Sequence, residues 1–405
     1  MKIQSGEGKI DKRVFYAWAV YGDEEKKAVM ESLENGWLAS GPLVKKFEKK
    51  IAKLFGKKYG VAVNSGSSAN LLAIKGLGLK KGTEVITPVC TFATTVSEII
   101  NNGLVPVFVD SVIGRYTIDE DLVEKAISNK TSAILVPQLV GGICDMVKLK
   151  KLTDKYNLKL ISDECDTIAP TLHGKTVASY ADVSTTSFYG SHIITACGMG
   201  GMVMIDDEKL RDKIITLRDW GRVGNDDEDF DSRFNFEIDG IPYDSKFVYS
   251  EFGYNLKMNE TAAAFGLEQI KKLPKFLKIR GKNWLLLHFH FRKYRKWLYL
   301  PEVIEGAETN WLSFALTIKE DAPFTRYDLL KHFENDGIQV RVLFSGNITR
   351  HPVYKNSNLS WRSSGSFVNS DHIMANGFLL GCHHGMGIKE VKIITNSFDS
   401  FIALK

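Results

Sequence analysis

Cysteine is scarce in this chain of 405 residues, which contains five cysteines and no Cys-x-x-Cys pair. A zinc ribbon needs closely spaced cysteine pairs, and a disulfide framework needs an even set of cysteines. The composition therefore argues against both, and it favours reduced thiols in the cytoplasm. The cysteines are Cys90, Cys144, Cys165, Cys197 and Cys382.

Long apolar runs and a charge excess of one sign are also missing. No apolar stretch approaches the roughly 20 residues needed to span a bilayer, and residues 1–13 lack the apolar segment of a secretory signal. The 53 Lys and Arg side chains nearly balance 48 Asp and Glu side chains, and they form no long basic run. We therefore expect a cytoplasmic protein with neither a membrane nor a nucleic-acid partner.

The pattern that is present belongs to an α/β protein. At about 150 residues per domain, the length allows two or three domains. Short runs rich in β-branched residues alternate with helical patterns, and several runs are apolar throughout, as in strands covered on both faces. This predicts an α/β domain with a mostly parallel, seven-stranded sheet. The predicted strands are residues 61–64, 84–88, 105–110, 133–137, 159–163, 184–188 and 202–205.

After residue 255 the pattern changes to that of a smaller α+β domain. We place the boundary there, which gives a large domain at 1–255 and a small one at 256–405. The predicted elements of the small domain are helices at 261–279 and 281–298, a strand at 311–318, a helix at 327–336 and a strand at 339–344. Ligands of open α/β sheets lie beyond the carboxyl ends of the strands, so these ends are the first places to look for chemistry.

The first strand is followed by a turn rich in Gly and Ser, residues 64–70, ahead of an apolar helical pattern at 71–79. Backbone N–H groups, hydroxyls and the positive end of a helix dipole suit a phosphate group. The same residues also fit an ordinary serine N-cap with a tight turn. The pattern alone leaves both interpretations open.

The strand at 159–163 ends in three carboxylates, Asp163, Glu164 and Asp166. Acids at strand ends commonly cap helices or lie in solvated turns. Alternatively, one carboxylate buried against a heterocyclic nitrogen would keep that ring protonated and make it an electron sink.

The strand at 184–188 leads into a polar, Gly-flanked loop that contains His192. A histidine in such a loop suits a general base, although a lone histidine is often only structural. Two histidine pairs raise the question of a metal site. His288 and His290 are two residues apart in a helical pattern and point in different directions, and the adjacent His383 and His384 are poorly placed to chelate together. We expect no metal.

Together these elements resemble the fold-type I, pyridoxal-phosphate-dependent sugar-nucleotide aminotransferases of the DegT type, over nearly the whole chain. Segments 36–48, 64–70, 91–94 and 253–258 are similar to that family's substrate loop, phosphate turn, ring-stacking segment and subunit-crossing loop. The cofactor-binding residues that the resemblance implies are Gly66, Ser67, Ser68, Phe92, Asp163, Asp166, Ser187 and Asn255.

The resemblance also implies a role for several of these residues. Phe92 would stack on the cofactor ring, Asp163 would pair with the pyridine nitrogen, and Ser187 would bind the phosphate. Asn255 would reach the cofactor phosphate of a partner subunit. A homodimer with composite active sites is therefore expected.

Residue 192 departs from the pattern of most members of this family. They carry a lysine there that binds the cofactor covalently, whereas this chain has His192 and no lysine between Lys175 and Lys209. A histidine here resembles a small branch, the 3-dehydratases of CDP- or GDP-linked 4-keto-6-deoxyhexoses, in which His192 would be the catalytic residue. The substrate-binding residues that the resemblance implies are Trp37, Ser40, Arg218, Arg222, Tyr254, Asn347 and Arg350.

Three features differ from that branch. Ile193 stands where a second histidine is usual, and Met199 stands where a glutamate is usual. Segment 223–229 contains none of the cysteines that hold a [2Fe–2S] cluster in the CDP-sugar enzyme. Because such a cluster needs thiolate ligands, we expect no iron–sulfur centre.

The resemblance implies that pyridoxamine phosphate is the working form of the cofactor and that L-glutamate regenerates it from pyridoxal phosphate. His192 would move the protons needed for loss of the C3 hydroxyl from the sugar nucleotide. The expected product is a 3,6-dideoxy-4-keto sugar nucleotide for a surface polysaccharide. Two alternatives remain: a sugar-nucleotide aminotransferase with a displaced lysine, and a catalytically idle homologue that binds sugar nucleotides.

Overall fold

The computed structural model describes residues 13–223, 229–356 and 358–405. The helices are α1 Asp23–Glu34, α2 Pro42–Leu54, α3 Gly66–Gly76, α4 Ala93–Asn101, α5 Glu120–Ala126, α6 Met146–Tyr156, α7 Glu208–Arg218, α8 Phe230–Arg233, α9 Glu260–Phe291, α10 Arg326–Asn335, α11 Pro352–Lys355, α12 Val368–Asn376 and α13 Ile388–Ala403. The strands are β1 Tyr59–Val63, β2 Glu84–Pro88, β3 Val105–Val109, β4 Thr131–Pro137, β5 Lys159–Asp163, β6 Thr171–Leu172, β7 Lys175–Thr176, β8 Val183–Ser187, β9 Gly201–Ile205, β10 Phe236–Ile238, β11 Ile241–Tyr243, β12 Leu298–Tyr299, β13 Ala307–Glu308, β14 Phe314–Ile318, β15 Arg341–Val342, β16 Arg362–Ser363 and β17 Gly377–Leu380.

The core of the large domain is a sheet in the order β1-β9-β8-β5-β4-β2-β3-β16. Its pairs are parallel except where β9 pairs antiparallel with β1 and β8. β2, β8 and β9 are buried along their whole length, because helices cover both faces. The predicted α/β class with a mostly parallel sheet is therefore confirmed.

The sheet has one strand more than the seven predicted, and this strand comes from the far end of the chain. β16 pairs parallel with the edge strand β3. Arg362 Nε lies 3.0 Å from Glu84 Oε1, and Arg362 Nη2 lies 2.8 Å from Glu84 Oε2. Local periodicity could not reveal β16, because two residues are too few to show an alternating pattern.

The rest of the C-terminal part forms a second sheet in the order β12-β14-β17-β15, whose pairs are antiparallel. Because β16 returns to the large sheet, and because Met258 and Leu267 pack in the same hydrophobic cluster as Phe47 and Phe188, residue 255 does not divide the chain into two independent stretches. The division at that residue stays a proposal.

Two predicted elements differ from the structure. The helices expected at 261–279 and 281–298 are one helix, α9, which runs through Pro274 and Gly281. Glycine lowers helix stability without ending a helix, and packing of α9 against α1 and α2 outweighs that cost. The strand expected at 339–344 is reduced to β15. None of the helices in the described ranges is both long enough and apolar enough to cross a bilayer.

Candidate active site

A cavity of about 660 Å³ opens at the carboxyl ends of the large-sheet strands. The loops after β1, β5 and β8 form its floor, and residues from the C-terminal part form its opposite wall. The predicted site residues that line it are Gly66, Ser67, Phe92, Asp163, Asp166, Ser187 and His192. Motifs that are far apart in sequence therefore meet in one place.

One end of the cavity is built to receive an anion. Ser65 caps α3, and its hydroxyl accepts the backbone N–H of Ser68 at 3.1 Å. Gly66 packs so tightly on the end of β8 that a Cβ there would lie 2.7 Å from Cβ of Ser187. This close approach brings the hydroxyls of Ser67 and Ser187 to the same cavity wall as the start of the helix, which suits a phosphate.

Asp163 lines the same cavity, and its carboxylate is held by neutral donors. Asn70 Nδ2 donates to Asp163 Oδ2 at 2.7 Å, and Thr95 Oγ1 donates to the same oxygen at 2.9 Å. Asn70 is itself oriented by Thr185, whose hydroxyl donates to Asn70 Oδ1 at 2.6 Å. This network fixes an acceptor at the position where a protonated ring nitrogen would need one.

Asp166 is a second cavity carboxyl, and it differs from Asp163 electrostatically. Burial raises the pKa of Asp166 to about 7, and the charge of Asp163 acts in the same direction. Val140 N–H opposes the rise by donating to Asp166 Oδ2 at 2.9 Å. Val140 adopts a φ of 59°, a left-handed conformation that is rare for a β-branched residue. The strained peptide thus points its N–H at the acid.

His192 also lines the cavity. Its Nδ1 is 3.3 Å from the carbonyl oxygen of Ser187. Burial lowers the pKa of His192 to about 4, and the charge of the buried Arg280 adds to this, while the carbonyl of Ser187 opposes it. The imidazole is therefore neutral at physiological pH, as a general base requires.

Two further residues line the cavity that the sequence analysis did not single out. Tyr16 comes from the N-terminal segment, which crosses the C-terminal part through the bridge between Val14 and Ile338. Arg341, on β15, is the sole Arg or Lys among the described lining residues, and its guanidinium lies 5.7 Å from the Tyr16 ring. No local pattern indicated either residue, because tertiary packing brings both to the site.

Several of the predicted site residues do not line the cavity of their own chain. Ser68 supports the turn by donating to Asn64 Oδ1 at 2.6 Å, and Ser40 donates to the carbonyl of Met258 at 2.6 Å. Trp37 is largely exposed, and its Nε1 donates to the carbonyl of Ser40. These three residues shape loops near the site without lining it.

Two of the predicted arginines outside the cavity, Arg218 and Arg350, donate to carboxylates of the protein. Arg218 is buried and donates to Asp219 Oδ1 at 2.7 Å and to Glu48 Oε1 at 3.2 Å. Arg350 Nε donates to Asp371 Oδ1 at 2.6 Å. The predicted Asn347 also donates to Asp371 Oδ1, at 2.6 Å. The structure therefore places these side chains in supporting contacts.

Arg222, Tyr254 and Asn255 form a group on the surface beside the phosphate turn. The backbone of Asn255 forms an isolated β-bridge with Asp219, and Asn255 is exposed. Tyr254 is partly buried, with Lys75 Nζ 5.5 Å from its ring centroid. Segment 223–229, where the CDP-sugar enzyme carries its cluster-binding cysteines, lies mostly outside the described residues.

The cavity fits a phosphorylated pyridine. The start of α3 with two hydroxyls, a carboxylate held by hydrogen bonds and the half-exposed Phe92 ring all line this cavity. The described lining residues include no lysine. One histidine of each pair contacts a side chain of the protein. His290 Nε2 contacts Asp399 Oδ1 at 2.9 Å, and His384 Nδ1 contacts Arg280 at 3.2 Å.

Comparison with known proteins agrees with this geometry. Residues 20–399 match the DegT/DnrJ/EryC1/StrS aminotransferase family. The chain belongs to this family. The resemblance predicted from the motifs is thereby confirmed, and pyridoxal phosphate is the cofactor class of the family.

Individual relatives cover nearly the whole chain. The lipopolysaccharide biosynthesis protein RfbH of Salmonella typhimurium is 36% identical over 399 residues, which cover 95% of this chain and 91% of that protein. The dTDP-4-dehydro-2,6-dideoxy-D-glucose 3-dehydratase of Saccharopolyspora spinosa is 34% identical over 399 residues, covering 95% and 86%. A solved GDP-4-keto-6-deoxy-D-mannose-3-dehydratase from E. coli, with bound hydrated PLP, has a TM-score of 0.86 at 28% identity and covers 95% of this chain and 98% of that one.

Proposed function

We propose that this protein is a 3-dehydratase of nucleotide-linked 4-keto-6-deoxysugars that uses pyridoxamine phosphate without an iron–sulfur cluster. One observation carries the proposal: His192 lines the cavity, and the motif resemblance gives it the position where most family members carry the cofactor-binding lysine. The described lining residues offer no lysine in its place. An imidazole cannot hold the cofactor covalently, but it can move protons.

The cofactor is held by non-covalent contacts in this proposal. Ser67, Ser187 and the start of α3 bind its phosphate, Phe92 stacks on its ring, and Asp163 pairs with its protonated nitrogen. When bound there, pyridoxamine phosphate would supply an amine for the C4 ketone and, on loss of a proton from its C4′ carbon, the electron pair that expels the C3 hydroxyl.

His192 is the acid and base of the reaction. Because its Nδ1–H donates to the carbonyl of Ser187, Nε2 is the unprotonated nitrogen. With the cofactor bound, Nε2 would accept the proton that its C4′ carbon loses and would return that proton to the departing hydroxyl. Asp166, with a pKa of about 7, is a second group in the cavity that can hold a proton.

Regeneration of the amine form needs an amino donor, and the proposed donor is L-glutamate. Arg341 is the group that recognises it. Its guanidinium donates to the carbonyl of Val340 at 2.8 Å and keeps further N–H groups for a ligand. A guanidinium matches the geometry of a carboxylate.

The decisive experiment is turnover with glutamate and CDP-, GDP-, UDP- or dTDP-linked 4-keto-6-deoxysugars, followed by mass spectrometry. A 3-dehydratase yields a 4-keto product that has lost the C3 oxygen. An amino group at C4 with retained C3 oxygen would identify an aminotransferase instead. Binding without any product would identify an idle homologue.

A further inference from the structure

A buried arginine behind the cavity has no acidic partner. Arg280, on α9, is 2% exposed and forms no ion pair with a described residue. Its Nε and Nη2 donate to the carbonyl of Trp311 at 3.0 and 2.9 Å, and Nη2 also donates to the carbonyl of Leu312 at 2.7 Å. Nη1 lies 3.2 Å from His384 Nδ1. Because a buried charge without a counter-charge is unfavourable, these neutral acceptors are the groups that compensate the guanidinium.

The carbonyl of Trp311 and the N–H of Leu312 belong to one peptide group, so the N–H points away from the guanidinium. This N–H donates to the carbonyl of Val140 at 2.9 Å. The N–H of Val140 in turn donates to Asp166 Oδ2 at 2.9 Å. A series of hydrogen bonds through Val140 therefore connects Arg280 with Asp166, and the charged donor at its start strengthens the bond that follows.

The turn in the middle of this series is strained. Val140 has a φ of 59°, and a β-branched residue keeps that conformation only when its surroundings impose it. Residues 309–312, which we call the strap, supply the constraint. The Thr309 hydroxyl donates to the carbonyl of Gly141 at 2.5 Å. A Cβ at Gly141 would lie 2.9 Å from Cα of Trp311, so the strap and the turn are in direct backbone contact.

The other titratable groups near Asp166 do not replace the contact with Val140. Asp163 carries a like charge, which raises the pKa of Asp166. Burial raises the pKa of Tyr16 to about 12 and that of the Cys165 thiol well above its usual value, so both groups are neutral at pH 7. Among the described residues, the N–H of Val140 is therefore the contact that favours the ionised acid.

We propose that Arg280 is a positioning residue for Asp166 and that it acts through the strap and the strained turn at Val140; this rests on the proposed function, in which Asp166 holds a proton in the cavity. Arg280 does not itself line the cavity. It fixes the peptide between Trp311 and Leu312, that peptide holds Val140, and the N–H of Val140 holds the carboxylate. Weakening any of these contacts should leave Asp166 protonated to a higher pH, because a hydrogen bond to its charged form is lost.

The test is the protonation of Asp166 in the full-length, cofactor-loaded protein without a sugar, measured by infrared difference spectroscopy as a function of pH. The band of the protonated carboxyl is assigned by its loss in Asp166→Asn. Arg280→Met and Thr309→Val should each raise the midpoint of this titration by about one pH unit, a tenfold change in the dissociation constant of the acid. Arg280→Lys keeps the charge but lacks the forked donors, so it should shift the midpoint less than Arg280→Met does.

Thr309→Val separates the strap from the charge of Arg280. It removes one hydroxyl from a partly buried residue and leaves the guanidinium in place. The charge of Arg280 lowers the pKa of His192. Arg280→Met should therefore also raise the pH at which His192 loses its proton, measured by NMR of the imidazole, whereas Thr309→Val should not.

The matched control is Arg326→Met. Arg326 also donates to two backbone carbonyls, at 2.7 and 3.0 Å, and it does not line the cavity. The titration of Asp166 should be the same in this variant as in the original protein.

The inference requires a shift in both Thr309→Val and Arg280→Met, and Arg280→Lys takes the place of Arg280→Met if the latter does not fold. An unchanged midpoint in folded Thr309→Val would overturn it, because a shift in the Arg280 variant alone would be an effect of charge through space. An unchanged midpoint in the folded Arg280 variant would overturn it as well. The proposed function fails separately, if the midpoints shift as expected but the original protein forms no 3-deoxygenated product.

Discussion

The Nδ1 atom of His192 lies 3.3 Å from the carbonyl oxygen of Ser187, the residue that ends β8. A carbonyl oxygen can only accept, so this contact favours the tautomer that has its proton on Nδ1. The strand that ends in the proposed phosphate-binding hydroxyl therefore also orients the proposed base.

Replacement of His192 by Asn should lower turnover by about 10²–10⁴-fold, the usual contribution of general acid–base catalysis. Cofactor affinity should change little, because the proposed contacts come from other residues. The wild-type rate should persist below pH 6.5 and fall only as the pH approaches about 4, the pKa of His192. His173→Asn is the control, since His173 is exposed and has a φ of 51° that asparagine tolerates. Near-normal dehydration by His192→Asn would assign the base elsewhere.

Arg341→Gln should separate the two half-reactions. Loss of a charged hydrogen bond, worth about 1.5–3 kcal/mol, should weaken glutamate binding about 10- to 100-fold. Single-turnover dehydration by protein already loaded with pyridoxamine phosphate should keep its rate. Arg13→Gln, which removes an exposed ion pair with Glu334, is the control. If the dehydration half-reaction slows instead, Arg341 binds the sugar nucleotide.

The buried Glu164 should make stability depend on pH. Burial raises its pKa to about 8, and the hydroxyls of Ser162 and Ser184 oppose this rise. The folded protein therefore retains a proton that the unfolded chain loses near the ordinary pKa. The free energy of unfolding should fall as the pH rises from about 4.5 to about 8, by at most about 1.4 kcal/mol per pH unit for one proton. Urea unfolding of Glu164→Gln across this range should show a shallower slope; an unchanged slope would mean that other groups cause it.

A homodimer with shared sites predicts complementation. If Asn255 serves the cavity of a second subunit, a hybrid of His192→Asn and Asn255→Ala subunits contains one intact site. The mixture should regain on the order of a quarter of the wild-type activity, because half of the dimers are hybrids with one such site. Either variant dissociated and re-associated alone is the control. If a dimer shown to contain one subunit of each variant stays inactive, Asn255 serves the cavity of its own subunit or serves no cavity.

Protein purified without oxygen should contain no iron–sulfur cluster. Segment 223–229 offers no thiolate, and the cysteines Cys90, Cys144 and Cys382 are buried at separate positions in the sequence. Iron and acid-labile sulfide should both be far below one cluster per chain in colorimetric assays. Stoichiometric amounts would contradict the proposal and would require a reductase partner.

The sequence predicted the part of the site that follows the strands. Asp163 and Ser187 end strands β5 and β8, and His192 follows five residues after β8, so strand periodicity was enough to find them. The residue types also indicated a function, because few acids, hydroxyls or histidines directly follow the predicted strands.

Residues brought by tertiary packing escaped prediction. Tyr16 and Arg341 are far apart in sequence, and each lies in or beside a very short paired segment. For Arg218, the motif gave the residue but not its environment, which is a buried pair with Asp219. Ion pairs of this kind depend on which side chains meet in the fold, and no local spacing encodes that.

The pairing of β16 with β3 limits how this chain can be divided for engineering. Residues 1–255 expressed alone would leave β3 as an uncapped edge, with unpaired backbone groups that invite aggregation. They would also leave Glu84 without Arg362. In a chimaera that exchanges C-terminal parts between relatives, β16 and β3 should come from the same protein. Residues 362–363 should either be transferred together with their own β3 or be left as in the recipient.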